Sequence, residues 1–181
     1  MRIISGMRRG HKLIEFDGGD IRPTTDRVKE SIFNLIQDYV SESVVLDMFS
    51  GSGALSFEAL SRGAGFAVCI DADKRSVQVI EQNAKNLNFT NKCEIVNASC
   101  FDYAEKTDRK FDIIFLDPPY NKNFIEPVLA AIAKNDLISE GGIVVLESDD
   151  TDFRGEADGF TIFKQKKYGR TYITVYTIEE E

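Results

Sequence analysis

Apolar and polar residues alternate along this chain in blocks rather than singly. Continuous apolar runs occur at Val44–Met48, Phe66–Ile70, Cys93–Val96, Phe111–Leu116 and Gly142–Leu146. Runs of this kind, with no polar alternation, predict strands buried on both faces. Between them the apolar positions shift to helical spacing at Leu55–Ser61, Lys74–Leu87, Phe101–Glu105 and Phe124–Lys134. Strand and helix in turn predict an α/β fold with a doubly wound, mostly parallel sheet. The two ends of the chain depart from this rhythm. Arg2–Ser5 and Lys12–Phe16 flank a Gly-Met-Arg-Arg-Gly stretch and predict an N-terminal hairpin. Thr24 or Thr25 can cap a helix carrying Val28, Ile32, Leu35, Ile36 and Tyr39 on one face. Phe160–Lys166 and Tyr172–Ile178, joined at Tyr168-Gly169-Arg170, predict an antiparallel hairpin that closes the sheet. A single domain is expected over 1–181, with 1–20 as an appendage and 21–181 as the core.

Composition narrows the class. Nothing is long and apolar enough to span a bilayer, and Met1–Gly6 has no signal-peptide run, so a cytoplasmic protein is expected. Cys69, Cys93 and Cys100 lack C-x-x-C spacing, which suggests free thiols and no metal site. The net charge of −8 is unevenly spread: residues 1–30 carry +2 and residues 160–178 carry +4, whereas 31–159 carry −11. If the ends meet, they form one basic face on an acidic body. Arg8, Arg9, Lys12, Arg22, Arg27, Lys166, Lys167, Tyr168 and Arg170 are the candidates for contacting an anionic polymer.

The first long strand ends in Asp47-Met48-Phe49-Ser50-Gly51-Ser52-Gly53. Two glycines allow a sharp turn and a close backbone approach to a ligand. Ser56 stands where a dinucleotide-binding pattern would place its third glycine. The acid-x-Phe-x-Gly-x-Gly form is similar to the first motif of class I methyltransferases, which implies that Asp47, Phe49, Ser50, Gly51, Ser52 and Gly53 face the methionine part of S-adenosylmethionine. Asp71, with Ala72, ends the second strand, where an acid can accept the ribose hydroxyls; capping of the next helix is the alternative. Ser99 and Cys100 end the third, on the adenine side, where many relatives carry an acid. Thr24 can close over the methionine moiety or serve only as a cap.

The fourth strand ends in Asp117-Pro118-Pro119-Tyr120. Two prolines fix the backbone and withdraw two N–H donors. The Asp117 carboxylate and the Pro118 carbonyl can each accept one N–H of an aromatic amine, aiming its lone pair at a methyl donor. Tyr120 can stack on an extruded base. The motif does not by itself choose the base: adenine-N6, cytosine-N4 and guanine-N2 amines all suit it, on DNA or RNA.

Taken with Met1–Gly6, Arg9-Gly10, Arg22-Pro23-Thr24-Thr25-Asp26-Arg27-Val28-Lys29-Glu30, Phe33 and Lys167-Tyr168-Gly169-Arg170-Thr171, these segments resemble the RsmD-type family of bacterial small-subunit rRNA methyltransferases. The resemblance covers nearly the whole chain. It implies a class I (Rossmann-like) seven-stranded sheet with an antiparallel last strand, S-adenosylmethionine as cofactor without a metal, and an N-terminal hairpin that grips RNA. It implies as substrate a guanine of 16S rRNA in an assembled or assembling 30S subunit, methylated at N2, with no membrane and no obligate protein partner. Competing readings are a DNA amino-methyltransferase, for which no separate target-recognition region is left over, and a non-catalytic cofactor-binding RNA chaperone, against which the intact Asp117–Tyr120 motif argues.

Overall fold

The computed structural model describes residues 1–15, 25–120, 123–149, 155 and 157–178. Its centre is a seven-stranded sheet: β1 (Val44–Asp47), β2 (Phe66–Asp71), β3 (Cys93–Asn97), β4 (Phe111–Leu116), β5 (Ile138–Asp149), β6 (Phe160–Tyr168) and β7 (Thr171–Ile178). The spatial order is β3-β2-β1-β4-β5-β7-β6. Strands β1 to β5 pair in parallel, and β7 runs antiparallel between β5 and β6. Only the last strand is reversed, as the resemblance implied. The chain changes direction between β1 and β4, and in such sheets the ligand crevice opens at the carboxyl ends of the strands flanking that switch.

Helices α1 (Asp26–Leu35), α2 (Gln37–Val40), α3 (Ala54–Ser61), α4 (Lys74–Asn86), α5 (Cys100–Lys106) and α6 (Ile125–Lys134) cover the sheet. One core cluster packs α1, α3 and α4 on one face through Ile32, Phe33, Phe57 and Ile80. The other packs α5 and α6 on the opposite face through Ala104, Val128 and Ile132.

Two elements differ from the sequence pattern. The helix expected to run through Tyr39 breaks at Ile36 (φ −114°, ψ 14°), and the break leaves Leu35, Ile36 and Val40 all buried. Strand β5 begins at Ile138, upstream of the expected Gly142, because Ile138 pairs with Phe111 across Gly141-Gly142. Pairing with β4 overrides a local glycine signal.

The N-terminal segment is a small antiparallel hairpin with a bridge between Arg2 and Lys12; the expected end at Phe16 lies outside the described residues. It is stitched to the core. The Glu58 carboxylate accepts the amides of Ile4 (2.9 Å) and Ser5 (3.1 Å). It also pairs with Lys29 at 3.1 Å and Arg62 at 2.8 Å. A Cβ on Gly6 would fall 1.8 Å from the Ser61 carbonyl oxygen, so only glycine allows this approach.

Candidate functional site

The loop after β1 is fixed from within. Ser50 Oγ donates to the Asp47 carbonyl at 2.9 Å, and the Ser50 amide donates to the Ile70 carbonyl at 2.9 Å. Ser56 Oγ, on the first turn of α3, donates to Asp47 Oδ2 at 3.0 Å. The other carboxylate oxygen, Asp47 Oδ1, is buried without a hydrogen-bond partner among the described residues. Burial, opposed by the Ser56 hydroxyl and aided by the charge of Asp117, pushes the Asp47 carboxyl up to about 7.

The two glycines differ. Both hold positive φ, +57° at Gly51 and +80° at Gly53. A Cβ on Gly51 would point into open space, whereas one on Gly53 would sit 2.4 Å from the Phe57 ring. Gly51 therefore faces the crevice, and Gly53 serves the packing of α3. The Ser52 carbonyl is held by Asn83 Nδ2 at 3.0 Å, the same amide that donates to the Ile14 carbonyl at 2.9 Å. Asn83 thus links the loop to the N-terminal segment. Phe49 meets Phe124 at 5.8 Å between ring centres, and Phe124 meets Phe101 at 6.3 Å, which makes an apolar wall beside the loop.

Asp71 is not the cap of α4, since Asp73 accepts the Arg75 amide at 2.8 Å in that role. Asp71 Oδ2 accepts the Gly51 amide at 2.9 Å, and Oδ1 accepts the Asp73 amide at 2.9 Å. Burial raises the pKa of this half-buried carboxyl. Each carboxylate oxygen keeps a second lone pair for a hydroxyl donor. Asn97 Nδ2 clamps the carbonyls of Asp71 (2.9 Å) and Ala72 (3.1 Å), and Ala72 itself is exposed. Ser99 caps α5: its hydroxyl accepts the Asp102 amide at 3.0 Å and donates to Asp102 Oδ2 at 2.9 Å. Cys100 is buried and its thiol is pushed up to about 11 by burial. Cys69 is likewise a buried free thiol, and Cys93 a half-buried one.

Across the switch point, Asp47 stands opposite Phe115, so Asp117 lies two residues beyond it at the end of β4. Asp117 and Tyr120 are half-buried, Pro118 is buried and Pro119 is exposed. The glycine loop and the Asp117–Tyr120 loop therefore flank one crevice.

The basic candidates fall on both sides of α1. Arg8 turns inward: its Nε donates to the Leu87 carbonyl at 2.6 Å and its guanidinium sits 5.5 Å from the centre of the Phe89 ring. Arg9, Lys12, Arg27, Lys166, Lys167 and Arg170 are exposed, and Tyr168 is half-buried. Arg170 reaches Asp149 at 3.8 Å, and Lys167 lies 5.1 Å from the Tyr172 ring centre. Lys29 donates to the Arg2 carbonyl and Lys164 donates to that of Leu35, so α1 borders both the N-terminal hairpin and β6. Thr25 caps α1, accepting the Val28 amide at 3.3 Å. Arg22 and Thr24 lie outside the described residues.

Two buried carboxylates that the pattern did not single out take part in this architecture, Glu58 and Glu147, and Ser56, marked only as a missing glycine, proves to be a donor to Asp47. Ser56 and Glu58 sit within the fully buried stretch Ala54–Ser61, where two serines and a glutamate in a buried helix signal that a polar network was needed. Glu147 is buried within β5, opposite Ile173 of β7. No described helix is long and apolar enough to cross a membrane.

The family model for Conserved hypothetical protein 95 matches residues 1–177. The Ribosomal RNA small subunit methyltransferase D of Haemophilus influenzae is 32% identical over 179 residues, spanning 97% of this chain and 93% of that protein. A solved Escherichia coli structure, provisionally assigned as a methyltransferase, superposes with a TM-score of 0.89 at 29% identity over 99% of this chain and 98% of its own. A Salinibacter ruber RNA methyltransferase, solved in complex with S-adenosyl-L-homocysteine, shares the fold with a TM-score of 0.66 at 21% identity, over 88% and 95% of the two chains.

Proposed function

The chain belongs to the Conserved hypothetical protein 95 family, that of the RsmD-type rRNA methyltransferases, and from that premise we propose that it methylates the N2 amine of a guanine in small-subunit ribosomal RNA, using S-adenosylmethionine. The observation that carries the reading is the crevice at the β1/β4 switch point, with an open glycine turn on one side and Asp117–Tyr120 on the other. The cofactor fits the residues present. Asp47 Oδ1, buried and unpartnered among the described residues, suits the ammonium of a methionine moiety. Gly51 leaves room above the turn, Asp71 retains acceptor capacity for ribose hydroxyls, and the Phe49–Phe124–Phe101 wall suits a purine ring. With the Ser99 hydroxyl engaged at the start of α5, adenine contacts fall to that wall and to backbone groups. The solved Salinibacter ruber complex with S-adenosyl-L-homocysteine supports the same cofactor class.

Bound S-adenosylmethionine supplies an electrophilic sulfonium methyl. The protein's share is positioning. The Asp117 carboxylate and the Pro118 carbonyl accept the two N–H bonds of the amine, so that its lone pair points at the donor. Asp117 is then placed to receive the proton that the nitrogen must lose. Tyr120 stacks on the extruded base, and the exposed cations on either side of α1 hold phosphates. The substrate is a 30S subunit, assembled or assembling, in the cytoplasm, and no metal or obligate protein partner is invoked.

The test is direct. Small-subunit particles from cells lacking the enzyme are incubated with it and methyl-labelled cofactor, and their RNA is digested to nucleosides. Label in N2-methylguanosine is expected. Label in N6-methyladenosine or N4-methylcytidine would overturn the choice of base, and no incorporation would favour a non-catalytic RNA chaperone.

A further inference from the structure

The N-terminal hairpin and the glycine loop share one side-chain amide. Asn83, on α4, is only 1% exposed. Its Oδ1 accepts the Ile14 amide at 2.8 Å, and its Nδ2 donates to the Ile14 carbonyl at 2.9 Å. The same Nδ2 donates to the Ser52 carbonyl at 3.0 Å. A primary amide has two N–H bonds and one carbonyl oxygen, and here all three are engaged. The reciprocal pair with Ile14 fixes the plane of the amide, and that plane aims the remaining N–H at Ser52. Lifting the hairpin would free the amide to rotate and would leave the Ser52 carbonyl without this donor. Ser52 stands between Gly51, which faces the crevice, and Gly53, the N-cap of α3. The hairpin also leans on α3 itself, since Glu58 accepts the Ile4 and Ser5 amides and Ser61 Oγ accepts the Arg8 amide at 2.9 Å. Its outer side carries exposed Arg9 and Lys12.

We propose that Asn83 is a positioning residue that couples the two ligands, so that RNA held by the hairpin and cofactor held by the loop each tighten the binding of the other. This inference rests on the RNA-methyltransferase reading above but not on the choice of base. RNA that holds the hairpin against the core immobilises Ile14, and with it the amide that holds Ser52. The cofactor then meets a loop that is already ordered, and the reverse follows through the same contact. Cofactor is thereby bound most tightly where a substrate is present to receive the methyl group. Aspartate has the shape of Asn83 but no donor for either carbonyl, and leucine fills a similar space with no polar group.

The probe is S-adenosyl-L-homocysteine, which has no methyl group to transfer. Its affinity for the full chain is measured by equilibrium dialysis with and without saturating small-subunit particles from cells lacking the enzyme. Particle affinity is measured with and without the probe. The wild-type protein should show the same factor in both directions, on the order of tenfold. In Asn83→Asp and Asn83→Leu that factor should fall to near one. A merely structural role for Asn83 would weaken the separate affinities and leave their ratio unchanged, and that result in a folded variant would overturn the inference. Hydrogen exchange in the wild-type protein decides the matter even where neither variant folds. The probe alone should slow exchange of the Ile14 amide, which Asn83 accepts, and not that of the Phe160 amide, which donates to Ala157 at the far edge of the sheet. Equal slowing of both, or of neither, would overturn the coupling. Probe and particles that bind the wild-type protein independently would also overturn it and leave the RNA reading standing, whereas particles that are not bound at all would overturn both.

Discussion

Ser56 Oγ donates to Asp47 Oδ2 at 3.0 Å, and both residues are buried. This bond gives Ser56 its place in the motif: its hydroxyl donates to a carboxyl whose pKa burial raises to about 7. A carboxyl whose folded pKa lies above its unfolded value contributes stability that is complete below the unfolded value of 3.8 and is lost as pH rises through about 7. The ionised form then costs on the order of 4 kcal/mol, at about 1.4 kcal/mol per pH unit. Asp47→Asn should therefore gain on the wild-type protein in urea midpoint as pH rises from 4 to 8. A difference that does not change with pH would remove Asp47 as a buried titrating group. Cofactor affinity should fall in the same variant, since the ammonium loses its counter-charge.

The two glycines of the cofactor loop should fail in different ways. Gly51→Ala places a Cβ in open space and should fold, with a positive-φ penalty of roughly 1–2 kcal/mol. It should bind S-adenosylmethionine at least tenfold more weakly by calorimetry. Gly53→Ala drives a Cβ to 2.4 Å from the Phe57 ring and should lose several degrees of melting temperature even without ligand. Equal effects on stability would contradict the separate roles.

Asp117→Ala removes an acceptor from the amine but leaves the loop after β1 intact. Single-turnover methyl transfer at saturating RNA should fall about 10²–10³-fold, roughly 2.7–4 kcal/mol, with cofactor affinity unchanged. Tyr120→Ala should weaken both RNA affinity and turnover, because an unstacked base visits the site less often. Near-normal transfer by Asp117→Ala would reduce the acid to a strand-end cap.

The exposed cations and the inward-turned Arg8 should also separate. Arg9→Glu and Lys166→Glu should weaken RNA binding and lower its salt slope, because fewer counterions are released. Their melting temperatures should stay near that of the wild type. Arg8→Glu should destabilise the fold by about 1–3 kcal/mol, since it removes the donor to Leu87 and the cation over Phe89. An unchanged salt slope in the first two variants would count against a basic RNA-binding face.

What the sequence determined by itself was local. The Phe111–Leu116 strand is bounded as its apolar run predicted, and the β1 loop and Asp117–Tyr120 fall at strand ends as their glycines and prolines required. Such features are legible because side-chain periodicity and backbone dihedral limits act over a few residues. Tertiary structure decided the rest. It carried β5 back to Ile138 across two glycines, because Phe111 of β4 offered a partner there. It made Asp73, not Asp71, the cap of α4, and engaged the Ser99 hydroxyl at the start of α5. It turned Arg8 inward, although a sequence marks Arg8 and Arg9 as equally basic. Above all it set Glu58 under the N-terminal hairpin and against Lys29 of α1. No pattern along the chain reports those pairings, because the partner of a buried charge is fixed by contacts many tens of residues away, where the cost of leaving it unpaired is met.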